Sequence, residues 1–183
     1  MTYCVALLRG INVGRARRVA MADLRALIEG LGFSDVRTIL NSGNAVFKAM
    51  RPRPERVASE IEGAIQQKFG FSVPVVVITA SDLHTIIAEN PLCQAGQDPS
   101  RFLVAFIAKG GALRKAEPLL QEQWLPEALA IGRKAAYLWC ASGIIRSKLV
   151  KEFFRVTADA PTTRNWSTVL KLQTAVGGGQ NTW

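Results

Sequence analysis

The chain of 183 residues has little of what most catalytic and cofactor signatures require. It carries one histidine, His84, and three cysteines at positions 4, 93 and 140. Those spacings hold no metal-ligand pattern, and a triad or zinc centre lacks its parts, so no metal is expected. No Gly-x-Gly-x-x-Gly or Walker-type lysine loop is present, and no nucleotide cofactor is expected. Carboxylates are scarce, 14 against 23 Lys and Arg, and no spacing marks an acid–base pair. No apolar run approaches the roughly 20 residues of a membrane helix. The N-terminus lacks a basic-then-apolar leader, because the run Tyr3 to Leu8 is only of strand length. With an odd number of thiols, the expectation is a reduced cytoplasmic protein with no membrane partner. Aromatics are few where an RNA platform would need them: "CVALLR" has none and "NAVFKA" only Phe47, so base stacking on a sheet is not expected.

What is there reads as a globular chain, 49% hydrophobic and 20% charged. "YCVALLR" predicts a buried strand. Met21, Leu24, Ile28 and Leu31 then define one helix face that stops at Gly32. "DVRTIL" and "AVFKA" predict two strands around the turn "NSGN". Pro54 opens a second helix with Val57, Ile61, Ile65 and Phe69 on one stripe. "SVPVVVIT" predicts a fourth strand, which Pro74 assigns to a sheet edge. The order is βαββαβ, a ferredoxin-like half. Ser81 and Asp82 are expected to cap a short helix, and "ENPLCQAGQDPS" marks the boundary between halves.

The second half echoes the first. "FLVAFIAKG" parallels "YCVALLRG", with Val-Ala inside an apolar run that ends in a basic residue and glycine. A short helix around Pro118 follows, then a hairpin of "EALAIG" and "AAYLWCA" across Arg133-Lys134. "RSKLVKEFFRV" and "NWSTVLKLQTAV" predict helices. The expected fold class is α+β, two ferredoxin-like halves related by divergent duplication. The expected divisions are residues 1–80, 81–176 and a flexible tail 177–183.

Net charge is +9 and is clustered. Residues 9–18 carry four arginines and no acid, residues 48–56 a net +3, and residues 133–171 a net +6. Clustering of this kind predicts an anionic partner. Arg9 and Gly10 end a buried strand, and Asn12 follows before Gly14. Such a turn lets backbone N–H groups converge while a guanidinium supplies a bidentate fork. In "RSKL", Ser147 is expected to cap a helix and leave Lys148 and Arg146 at its positive end, a poor place for cations unless an anion lies between them. In "TTRNWST", Thr163 or Asn165 is expected to cap the last helix, Trp166 to anchor the core, and Arg164 to face a ligand. Ser42 and Asn44 of "NSGN" complete the set. The expected ligand-binding residues are thus Arg9, Gly10, Asn12, Ser42, Asn44, Ser147, Lys148, Arg164 and Asn165, with Arg9 and Arg164 in one concave site. Chemistry built from these groups would favour charge stabilisation over proton transfer. The expected ligand is small and anionic or phosphorylated. The alternatives are a nucleic-acid or other polyanion partner, and an enzyme acting on phosphate esters.

The segments "LLRGINVG", "VAMADLRALIEGLGFSDVRTILNSGNAVF", "FGFSVPVVV", "PSRFLVAF", "IIRSKL" and "TTRNWSTVLKL" together resemble domain-of-unknown-function family 1697, over residues 3–173. The resemblance implies an α+β fold of two ferredoxin-like halves, found mostly in bacteria, and no established activity. The chain departs from the family pattern at Arg15-Ala16-Arg17-Arg18, where small residues are common. It departs again at Ile145, which stands for glycine, and at Asn41, which stands for glutamine.

Overall fold

A computed structural model describes residues 1–14, 16–92, 98–107, 111–158 and 161–177. Arg15, Cys93, Asp159 and the tail beyond residue 177 lie outside the described residues. The chain packs as two compact units, Met1–Leu83 with the chain from Lys171 onward, and His84–Leu170.

In the first unit, β1 (Thr2–Leu8), α1 (Met21–Gly30), β2 (Ser34–Thr38), β3 (Asn44–Ala49), α2 (Pro54–Phe69) and β4 (Val75–Thr79) follow one another. The four strands form one antiparallel sheet in the order β2-β3-β1-β4. Period-two alternation sends Cys4, Ala6 and Leu8 into a core with Ala45, Phe47, Val75 and Val77. Leu24 and Ile28 of α1, and Val57, Ile61 and Ile65 of α2, belong to the same core. Pro54 starts α2 without wasting a donor, and Gly70 at φ 78° ends it in the left-handed conformation. The opposite sheet face is buried too: Val5, Leu7, Val46 and Val76 are at most 3% exposed. Continuous apolar runs in β1 and β3 answer to that double burial.

After α3 (Ala80–Ala88), the second unit repeats the plan with β5 (Phe102–Phe106), α4 (Gly111–Ala116), a 3-10 turn (Glu117–Gln121), β6 (Ala128–Ile131), β7 (Ala135–Trp139), α5 (Lys148–Thr157) and β8 (Thr162–Asn165). Its sheet order is β6-β7-β5-β8, the same path with β5 in the place of β1. Leu103, Ala105, Ala136 and Leu138 pack with Leu113, Leu149 and Phe153. The last helix, α6, is Trp166–Val176.

Two local expectations change. The cap of α3 pairs the expected Asp82 with Thr79: Thr79 Oγ1 accepts from Asp82 N–H and Asp82 Oδ2 accepts from Thr79 N–H, both at 3.1 Å. This reciprocal pair is a capping box set earlier in the chain than the Ser-Asp step implied. The segment "TTRN" is not only a lead-in to α6 but an edge strand, β8, paired to β5.

Candidate functional site

In the first unit the turn "SGN" docks on the end of β1 through Leu8 N–H donating to the Gly43 carbonyl at 2.8 Å. Arg9 N–H donates to the Pro74 carbonyl, and Gly10 then turns the chain at φ 71°. Asn12, itself left-handed at φ 56°, acts as a staple. Its amide donates to the carbonyls of Val19 at 2.9 Å and Asn41 at 2.8 Å, and its oxygen accepts from Val19 N–H at 3.0 Å. Asn44 is fully buried and donates to the Ile39 carbonyl and to Ser42 Oγ. Arg9, Gly10, Asn12, Ser42 and Asn44 are therefore brought to one end of one sheet. The two asparagines shape the loops with their side chains.

The loop they shape is cationic. Arg17 and Arg18 are exposed and Arg9 is half-buried. None of the three side chains has a hydrogen-bond or ion-pair partner among the described residues. The loop leads into α1, whose N-cap Ala20 offers no side-chain acceptor. A cleft of about 440 Å³ opens there, lined by Asn12, Arg18, Val19, Ala20, Met21 and Asn41. Helix-start N–H groups and a guanidinium on one cleft favour negative charge.

A second basic cleft in this unit was absent from the expected site. It has a volume of about 480 Å³, and Lys48, Arg51, Arg53 and Arg56 lie along it with Phe33 and Met50. Arg56 is tied to Glu60 at 3.0 Å, whereas Arg51 and Arg53 have no side-chain partner among the described residues. The signal was visible in the +3 block at 48–56 and in an arginine standing where α2 would take a polar cap.

Lys48 also belongs to a surface cluster. Tyr3 Oη donates to Asp35 at 2.5 Å, Lys48 lies 3.4 Å from the same carboxylate, and both Lys48 and Arg37 sit over the Tyr3 ring. The Tyr3 hydrogen bond, with Lys48 and Arg37, holds the Asp35 carboxyl below its usual range. A depressed carboxylate contributes stability above its unfolded pKa, about 3.9, and loses it as pH falls through the lower folded value. Asp35→Asn is accordingly expected to be less stable than wild type near neutrality and equal to it in strong acid. Thermal melts of both proteins across that range check this; a gap that persists in acid would assign the effect to geometry instead of charge.

In the second unit, Ser147 is fully buried and its Oγ accepts from Val150 N–H at 3.0 Å, the expected cap of α5. Beside it Glu127 Oε2 accepts from Leu149 N–H at 3.1 Å. An anion does stand at this helix start, and it is the chain's own carboxylate. Asn165 Oδ1 accepts from Thr168 N–H at 3.0 Å and so caps α6. Arg164, one residue earlier, is only 9% exposed and donates to the Thr163 carbonyl. Burial lowers its pKa to about 10. Strand register explains the burial. Val5 pairs with Val46 and Ile78, while Val104 pairs with Tyr137 and Arg164, so Arg164 occupies the position that Ile78 fills in the first sheet.

Burial pushes the Cys4 and Cys140 thiols up to about 11, so both are protonated packing groups at neutral pH. Among the described residues no three His, Cys, Asp or Glu side chains stand together as metal ligands. None of the described helices is long and apolar enough to cross a membrane.

A family model described as "Protein of unknown function (DUF1697)" matches residues 1–137. Among solved structures, a conserved bacterial protein from Streptococcus pneumoniae has a similar fold, with a TM-score of 0.78 and 22% identity over 96% of this chain and 98% of that one. No curated protein matches.

Proposed function

The chain belongs to the DUF1697 family, and because that membership carries no activity, we propose from the geometry that it binds a small anionic or phosphorylated ligand at the Arg9–Met21 loop of the first unit. One observation carries the reading: Arg9, Arg17 and Arg18 have unpartnered side chains among the described residues, and Arg18 lines a cleft at a helix start without a side-chain cap. Unpaired guanidinium groups gathered by a stapled loop repel one another unless an anion joins them. In this proposal Arg18 and the first N–H groups of α1 contact the ligand, Arg9 and Arg17 add field, and Asn12 and Asn44 hold the loops. Arg51 and Arg53 on the second cleft favour a second reading, in which the same ligand class binds at the start of α2.

Inorganic phosphate separates the two. At about a hundredfold over its Kd, a bound anion adds roughly 2.7 kcal/mol, about 5–10 °C in Tm for a chain of this size. Arg18→Ala is expected to remove that shift and Arg53→Ala to keep it. The reverse pattern would move the site to α2, and loss of the shift in neither variant would end both readings. A nucleic-acid partner would instead show a log–log salt slope near −0.9 per neutralised phosphate on duplex DNA. The inner strands β1 and β5 offer no open face for base stacking, since their residues are buried on both faces.

A further inference from the structure

The second unit holds a cleft of about 340 Å³ whose lining includes Trp124, Glu127, Ser142, Arg146 and Lys148. Its charges are arranged unlike those of the basic clefts. Glu127 is 8% exposed, with one carboxylate oxygen on Leu149 N–H and the other, Oε1, buried with no hydrogen-bond donor among the described residues. A carboxylate oxygen that has left water and lacks a donor carries a desolvation cost that a donor entering from the cleft would relieve. Rotation about the Cγ–Cδ bond exchanges the two oxygens, so either can be the one offered. Arg146 and Lys148 are exposed on the same cleft, and neither has a side-chain partner among the described residues. Trp124 is held by its own Nε1–H, which donates to the Leu119 carbonyl at 2.8 Å, and gives the cleft a fixed apolar wall.

We propose that this cleft binds a small zwitterion, with an ammonium group on Glu127 and an acidic group on Arg146 and Lys148. A simple anion would meet the two cations but leave the buried carboxylate oxygen without its donor. A simple cation would satisfy Glu127 but lie against two like charges. A molecule carrying both groups answers all three side chains, and its chain length is set by the gap between them.

The probes are glycine, β-alanine and γ-aminobutyrate, titrated calorimetrically into the full-length protein, with butylamine and butyrate as single-charge controls. At least one zwitterion is expected to bind at least tenfold more tightly than either control. Glu127→Gln keeps an oxygen for Leu149 N–H and so preserves the helix start; it is expected to weaken that zwitterion at least tenfold. The double variant Arg146→Ala with Lys148→Ala, at two exposed positions, is expected to do the same. Circular dichroism melts confirm that each variant is folded. No binding by any zwitterion, equal binding by butyrate, or unchanged affinity in Glu127→Gln would overturn the proposal. If Glu127→Gln unfolds, the double variant decides: unchanged affinity there overturns it, and a tenfold loss upholds it.

Discussion

Gly43→Ala is expected to lower the unfolding free energy by roughly 3 kcal/mol, the sum of two independent costs. Gly43 sits at φ 78°, where a side chain is strained by about 1 kcal/mol or more. An added Cβ would also lie 2.8 Å from Leu8 Cβ and 2.8 Å from Ile11 Cδ1, closer than carbon atoms approach. Leu8 and Ile11 are both buried, so neither gives way cheaply. Relief would require the turn to lift off β1 and break the Leu8 N–H bond to the Gly43 carbonyl. Urea denaturation measures the loss directly, and the accompanying fall in Tm is expected to be about 6–12 °C. A control at Gly14, also at positive φ but with none of the described residues within 4 Å of an added Cβ, should pay the backbone cost alone. Equal losses at the two glycines would show that the close approach contributes nothing.

Arg164→Ala is expected to cost about 2–4 kcal/mol, the range of large-to-small changes in a core, because the aliphatic stem fills a buried position. The comparison with Ile78 sharpens the test. Since the equivalent position of the first sheet is filled by a hydrocarbon, Arg164→Met should stay within about 1.5 kcal/mol of wild type, as shape-conserving core changes do. The ordering in chemical denaturation, alanine far below methionine, would identify packing as the residue's contribution to stability. Methionine as damaging as alanine would instead make the guanidinium and its hydrogen bonds the essential part.

Arg164 also marks the limit of what could be read from the chain. β1 and β5 were legible because an uninterrupted apolar run admits few other structures, and Pro74 announced an edge strand because it cannot donate to a ladder. β8 was hidden. It is four residues long, carries an arginine and two threonines, and ends on an asparagine that serves as a helix cap. Its signal lay in the repeat: Pro161 precedes Thr162 as Pro74 precedes Val75, and the two threonines are β-branched. The loop residues were legible as a group, yet Asn12 and Asn44 could not be distinguished from ligand contacts. Whether an amide meets a carbonyl 29 positions away or a ligand is decided by tertiary packing alone. The basic cleft at α2 was missed for a different reason. Its charges were counted, but only folding joins Lys48 and the 51–56 segment to Phe33 and Met1 around one hollow.

The edge of the first sheet has a consequence for life at high concentration. β2 is its outer strand, and its register slips between Ser34 and Arg37, with Asp35 at φ 50°. A slipped, charged border gives a neighbouring molecule no regular row of N–H and C=O groups to copy. On the far border, β4 starts directly after a proline, as does β8 in the second sheet. Exposed borders are where β-rich chains polymerise into fibres, and here irregular backbone, charge and proline each spoil the template. Strand-to-strand addition at these three borders of the folded protein is therefore disfavoured.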